Sequence, residues 1–353
     1  MDRSASKRDK VFEKVLDKFP ALKRETKLKK HFTEVIPLLG KVEKSIALQA
    51  QTFDPGIVGY VEYATESGGK RIRPALVMLS AKALGKVKDT HIDLAVVVEL
   101  IHLASLIHDD IMDQALIRRN KSTMSQKWGS EISVLVGDSL LAHSFKICAR
   151  FPDMEICRRV ADAANDVCTG EILQTQRRYD LKLSVKEYLR IVQMKTGSLF
   201  SLACEMAALL SGASKDVQKG LSIYGGCLGT AYQIYDDCLD LFGKEETFGK
   251  TLGTDLARGK LTLPILRMYE QLQEKDSEQI SEIILNGKED EFELVLKKIV
   301  ETGGHLYSVR KAHDLLEKAK RALDSLDANG YVQTLKMLPE SLQQDLNALK
   351  CKG

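Results

Sequence analysis

Proline is absent between Ala75 and Phe151, and again between Asp153 and Leu263. Inside a helix, proline removes a backbone hydrogen bond and clashes with the preceding turn, so these two stretches permit long uninterrupted helices. The apolar pattern agrees. In IDLAVVVELIHLASLIHDDIMD, Ile92 to Asp113, apolar residues cover most faces, as in a helix buried within a bundle. Ser130 to Phe151 predicts a second helix and Asp153 to Tyr179 a third. Ser184-Val185-Lys186-Glu187 reads as a capping box opening a fourth. Ser214 to Phe242 predicts a fifth, in which Gly220, Gly225, Gly226 and Gly229 either permit close helix contacts or mark a kink. Several amphipathic helices follow Leu263, among them Val309 to Leu326. Alternating segments with hairpin turns are scarce. The expected fold is all-α: a single domain over 1–353, a bundle of roughly ten or more helices around a central cleft. The first ~50 residues form a helical extension without a usable motif, on the domain-size reasoning that also allows one large unit here.

Charge narrows the function classes. The chain has 52 basic and 49 acidic residues, a net charge of +3, which disfavours a nucleic-acid partner. Seven cysteines, at 148, 157, 168, 204, 227, 238 and 351, form no CxxC pair and read as free thiols in a reducing compartment. No apolar run reaches the roughly 18 residues of a membrane span. The start, MDRSASKRDKVFEKVLDKF, has no apolar stretch of a secretory signal. A cytoplasmic chain without a transmembrane segment is expected.

Two acidic motifs carry the chemistry. Asp109-Asp110-Ile111-Met112-Asp113 ends a very apolar helix. Asp109 and Asp113 are i and i+4, so their carboxylates share one face and repel unless a cation lies between them. Hard carboxylate oxygens suit Mg²⁺, which takes one or two protein carboxylates plus substrate phosphate oxygens. Alone, this motif is as readily a solvated helix end. Asp236-Asp237-Cys238-Leu239-Asp240 repeats the register far downstream, with Gln233 one turn earlier. Two such motifs on buried helices suggest opposed metal sites around one cleft.

An acidic cleft that binds an anion also needs fixed cations. Gly68-Gly69-Lys70-Arg71-Ile72-Arg73-Pro74 supplies glycines for close backbone approach and cations for phosphate. Arg118-Arg119 follows the first motif, and Lys195-Thr196-Gly197 interrupts a helical run. Lys250, Asp255 and Lys260 lie beyond the second motif. Any one cluster reads equally as a solvated basic turn; their joint placement favours a diphosphate-bearing substrate. Gly249-Lys250-Thr251 mimics the end of a Walker A loop, but Gly243 is one position too far upstream and no strand precedes it.

From about Gly68 through Pro264, the chain closely resembles the trans-isoprenyl diphosphate synthase family. The resemblance rests on GGKRIRP, HLASLIHDDIMD followed by RRNKST, GEILQ, KTG, YQIYDDCLD and GKTLGTDLARGKLTLP, in that order. Asn120 stands where the family usually has glycine, and Ser122 where proline is common. The resemblance implies an isoprenoid-synthase fold and two substrates, isopentenyl diphosphate and an allylic diphosphate. It implies that Asp109 and Asp113 bind two Mg²⁺ ions and Asp236 a third, with Mn²⁺ as a substitute. Asp110, Asp237 and Asp240 support them directly or through water. Arg118, Lys195, Gln233, Lys250 and Lys260 match the allylic side. Lys70, Arg73, His102 and Arg119 match the isopentenyl side. His102 sits two turns before Asp109 on the same face, although a core histidine would look the same. Asp109, Asp113, Asp236, Lys195 and Thr196 carry the catalytic roles. A homodimer is implied as well.

Two neighbouring readings fit less well. A class I terpene cyclase would carry an Asn/Asp, Ser/Thr, Glu motif on the second helix and lack GGKRIR. An inactive subunit of a heteromeric synthase would lack aspartates that this chain keeps, although an active subunit would not. Product length is read from the helix before Asp109. Counting back by turns of about 5.4 Å reaches Ser105, then Ile101 and His102, then Val97 and Val98. In the family, aromatic residues matching Ala104 and Ser105 stop chain growth early. Both are small here, and the first motif lacks the two-residue insertion of short-chain enzymes. Products longer than twenty carbons are expected, with a farnesyl or geranylgeranyl synthase as the alternative.

Overall fold

The computed structural model describes residues 26–66, 71–243 and 253–349. Lys70, Lys250 and the Gly249-Lys250-Thr251 run lie outside them. Fifteen helices are named here in chain order: α1 (Thr26–Ala50), α2 (Val58–Thr65), α3 (Ile72–Ala83), α4 (Asp89–Met112), α5 (Met124–Cys148), α6 (Met154–Gln176), α7 (Val185–Val192), α8 (Ser198–Ser211), α9 (Lys215–Phe242), α10 (Thr254–Ala257), α11 (Leu263–Tyr269), α12 (Glu274–Leu285), α13 (Phe292–Glu301), α14 (Gly304–Ala322) and α15 (Gly330–Ala348). Helices α4 to α9 occupy the proline-free stretches. Pro37 and Pro339 nevertheless sit inside α1 and α15, each forgoing one backbone bond.

The helix boundaries follow local chemistry. Thr123, Asp153, Ser184 and Ser214 each cap the helix they precede through a side-chain oxygen. At Ser184 the capping box with Glu187 forms in full. The second predicted helix begins earlier than expected, because a first turn from Met124 precedes a kink at Gly129, φ +83°. The Lys195-Thr196-Gly197 run does not interrupt its helix. Gln193–Gly197 forms a π-helical turn that joins α7 to α8 and widens the backbone there.

Gly220, Gly225 and Gly229 of α9 settle as close contacts, whereas Gly226 meets only ordinary ones, and the helix runs unbroken from Lys215 to Phe242. A Cβ at Gly225 would lie 2.3 Å from the Phe200 carbonyl oxygen, and one at Gly229 would lie 2.8 Å from the Phe200 ring. α8 and α9 therefore approach backbone to backbone. Buried apolar side chains form one connected cluster from Val35 to Leu349, and α4 lies deep within it. Measured over a window, α4 is long and apolar enough to cross a membrane, contrary to the run-length expectation; 72% of that window is buried against other helices, as for a core helix.

One strand pair was not expected. Ile117–Arg118 pairs antiparallel with Lys121–Ser122, and Arg119 and Asn120 form the turn at φ +53° and +61°. Positive φ at both turn positions matches the right-handed twist of a two-residue hairpin, and asparagine tolerates it without glycine. The departure at Asn120 therefore preserves the turn.

Candidate active site

The C-terminal end of α4, the end of α6, the π turn, the last turns of α9 and the segment around α10 converge. Lys260 Nζ lies 3.1 Å from Asp113 Oδ2 and 3.5 Å from Asp255 Oδ1. The Asp255 backbone N–H donates to Asp240 Oδ2 at 3.0 Å, and Thr254 Oγ1 donates to Asp240 Oδ1 at 3.0 Å. A continuous polar chain thus joins the two acidic motifs. A second chain runs beside it. Thr196 Oγ1 donates to Gln233 Oε1 at 2.9 Å, and Gln233 Nε2 donates to Asp237 Oδ1 at 2.9 Å. The Tyr188 hydroxyl donates to the other Asp237 oxygen.

The six motif aspartates divide by environment. Asp109, Asp113 and Asp236 are half-buried, whereas Asp110, Asp237 and Asp240 are buried and hydrogen-bonded within the protein. Asp110 accepts from Arg118 Nε at 2.6 Å, yet burial still raises its pKa despite the arginine. Asp113 is the opposite case. Burial works against its charge, but Lys260, Arg258 and Arg178 outweigh burial and hold its carboxyl below the usual range. Arg178 Nη2 is 2.7 Å from Asp113 and Arg258 Nη1 is 3.6 Å. Lys195 pairs with Glu171 and lies 3.6 Å from Asp109. Burial works against its ammonium, but these two carboxylates more than offset it.

This donor set fits Mg²⁺. Asp109, Asp113 and Asp236 present half-buried carboxylate oxygens, the hard donors that Mg²⁺ takes. Among the described residues, no three acidic, histidine or cysteine side chains close into a metal cage. Mg²⁺ bound here would complete its shell with substrate oxygens and water, its usual habit.

A second group gathers two arginines around a histidine. Burial, then the neighbouring arginines, lowers the pKa of Arg119 and holds His102 well below its ordinary value. Burial lowers Arg73 to about 10. Its Nε has no hydrogen-bond partner, and its guanidinium lies over the Phe200 ring at 4.9 Å. His102 is therefore a neutral imidazole in the field of Arg73 and Arg119. Such a cluster attracts an anion.

Several contributors escaped the sequence reading. Glu171 sits inside GEILQ, and Asp255 beyond the second motif, with no local pattern that assigns either a role. Arg178 and Tyr188 belong to no motif. Tyr179 holds the α10 segment: its N–H donates to the Gly259 carbonyl at 2.8 Å, and its ring fills the space a Cβ on Gly259 would need. These contacts span 65 residues for Arg178 to Asp113, beyond any local pattern. Ala104 is buried and Ser105 half-buried, its hydroxyl donating to the His102 carbonyl at 2.9 Å.

Comparison with known proteins places the arrangement. A family model for polyprenyl synthetases matches residues 55–302. Octaprenyl diphosphate synthase of Haemophilus influenzae is 35% identical over 300 residues, covering 85% of this chain and 91% of that protein. A short chain isoprenyl diphosphate synthase of Methanothermobacter thermautotrophicus is 34% identical over 283 residues, covering 79% and 87%. A polyprenyl synthase from Caulobacter crescentus CB15, solved with calcium and isoprenyl diphosphate, superposes with a TM-score of 0.82 at 33% identity, covering 90% and 97%.

Proposed function

The chain belongs to the polyprenyl synthetase family, has the all-α isoprenoid-synthase fold and is a prenyltransferase; from that premise we propose that it condenses isopentenyl diphosphate with allylic diphosphates to give medium-to-long trans-polyprenyl diphosphates. The observation that carries this reading is the link between both aspartate motifs through Lys260 and Asp255, together with the group of Arg73, Arg119 and His102. One group offers a metal-diphosphate site and the other an arginine-lined anion site.

Asp109, Asp113 and Asp236 would hold Mg²⁺, with Asp110, Asp237 and Asp240 behind them, and the bound ions supply Lewis-acid charge to the allylic diphosphate. Lys195, Lys250, Lys260 and Arg118 neutralise that diphosphate as the allylic C–O bond breaks. Thr196 and Gln233, linked by a hydrogen bond, supply polar groups whose dipoles stabilise the developing cation. Lys70, Arg73, Arg119 and His102 hold isopentenyl diphosphate so that its double bond attacks that cation. The proton lost afterwards leaves with the diphosphate. Buried apolar walls exclude the water that would quench the cation.

The domain is single, the enzyme works in the cytoplasm, and it pairs as a homodimer. Val134 and Leu135 on α5 and Ile172 on α6 are exposed and supply an apolar face for a second copy. Small residues at Ala104 and Ser105 support long products. Incubation with isopentenyl diphosphate, several allylic primers and Mg²⁺, with products sized after dephosphorylation, tests the reading. Chains longer than twenty carbons are expected. No condensation would overturn the function, and a stop at fifteen or twenty carbons would overturn the length.

A further inference from the structure

The N-terminal helix has no motif, yet it reaches the phosphate-gripping segment. Arg71 is 3% exposed and immediately precedes α3. Its Nε donates to Glu43 Oε1 at 2.5 Å and its Nη2 to Glu43 Oε2 at 3.2 Å, a two-point fork onto α1. Its Nη1 donates to Glu99 Oε1 on α4 at 2.6 Å. Nη2 also donates to the Thr65 carbonyl, the last residue of α2, at 3.1 Å. One guanidinium therefore ties α1, α4, the end of α2 and the start of α3 together. Arg71 holds φ +50°, a left-handed conformation that costs a non-glycine residue roughly 1–2 kcal/mol. Four hydrogen bonds keep it there.

The clamp divides the labour within Lys70-Arg71-Ile72-Arg73. Arg71 directs its charge to two carboxylates and has none to offer a substrate. Arg73 has a free Nε and an aromatic face beneath it. Glu99 precedes His102 by one turn of α4, so the same clamp stands beside the cationic cluster. Arg73 lies two positions after the clamped Arg71, within the first turn of α3, so fixing Arg71 reduces the ordering that ligand binding must otherwise impose there.

We propose that Glu43 is a positioning residue for the isopentenyl diphosphate site: through Arg71 it sets the placement of Arg73 in the first turn of α3. This rests on the substrate assignment proposed above. Glu43 itself is a third exposed and lies on a helix outside the aspartate cleft.

The test is calorimetric binding of isopentenyl diphosphate to wild type, Glu43→Ala and Glu43→Gln, together with steady-state kinetics and thermal melting. Glu43→Ala should weaken isopentenyl diphosphate binding about tenfold, equivalent to about 1.4 kcal/mol. Its KM for the allylic diphosphate and its kcat should stay within about twofold, well inside that margin. Glu43→Gln keeps an acceptor for Arg71 and should recover most of the affinity. If both KM values rise together in proportion to lost melting temperature, the role is merely structural and the proposal fails. Unchanged isopentenyl diphosphate affinity in Glu43→Ala also overturns it. A wild type that neither binds nor consumes isopentenyl diphosphate defeats the substrate assignment itself, and the positioning role with it.

Discussion

Lys260 Nζ lies 3.1 Å from Asp113 Oδ2, although 147 positions separate the two residues. Arg178 and Arg258 approach the same carboxylate, which stays charged because three cations outweigh the cost of burial. An ionised oxygen set at the mouth of an acidic cleft is what a hard metal requires.

Neutralising these ligands should stop turnover without unfolding the chain. Asp109→Asn, Asp113→Asn and Asp236→Asn should each lower kcat by about a hundredfold or more, since each removes charge that stabilises the leaving diphosphate. Helical circular dichroism should be retained. Near-normal turnover in any of the three, with intact dichroism, contradicts the assignment.

Activity should require Mg²⁺ or Mn²⁺ and disappear with EDTA. Adding back either ion in excess should restore it, because the ligands are hard oxygens. Full turnover in metal-free buffer would sink the metal mechanism.

Asp237 gives the metal-free protein a pH signature. Burial, reinforced by Asp255, pushes its carboxyl up to about 7. Its unfolded value is near the ordinary 3.8. Between those values the folded state keeps a proton that the unfolded chain has lost, so this group's contribution to stability declines as pH rises through the window. Asp237→Asn removes the ionisable group and keeps one amide oxygen to accept from Tyr188 or Gln233. The variant should melt several degrees higher than wild type at pH 8 without metal, and the gap should close near pH 4. A gap independent of pH would show that ionisation is not the cause.

Gly225→Ala should destabilise the bundle. The added Cβ meets the Phe200 carbonyl at 2.3 Å and the Ser201 Cα at 2.9 Å, both backbone atoms. Overpacking of this kind costs about 1–3 kcal/mol, more than alanine's helix-propensity gain of about 0.8–1 kcal/mol. Denaturant unfolding should register the loss. Gly212→Ala is a poor control because φ there is +79°, whereas Gly226→Ala meets only ordinary contacts at 3.7 Å and should be tolerated. Equal stability for Gly225→Ala and wild type would refute the close-contact reading.

Product length should respond to α4. Ala104→Phe or Ser105→Phe should shorten the main product to roughly the fifteen- or twenty-carbon class, because about one turn of helix spans one isoprene unit. Turnover should persist. Val97 and Val98, fully buried, and Phe145 are the candidates for the deeper floor. An unchanged product distribution in the bulky variants would refute the tunnel argument.

The sequence by itself determined the helical architecture and the chemical kinds at the site. Helix periodicity and capping are local, so Ser184 with Glu187 and the span from Ser214 to Phe242 were legible from neighbours in the chain. The register of Asp109 with Asp113, and of Asp236 with Asp240, was legible for the same reason. Tertiary structure decided which charges meet. Arg118 and Arg119 are adjacent in sequence, yet the hairpin turns one onto Asp110 and leaves the other in the cationic cluster. Arg71 and Arg73 are two positions apart, and only Arg71 is consumed by Glu43 and Glu99. Gly225 and Gly229 of α9 could mean a kink or a contact until Phe200 is placed against them. In each case the deciding partner comes from a distant helix, and electrostatic and steric fit depend on distances in space that no local pattern encodes.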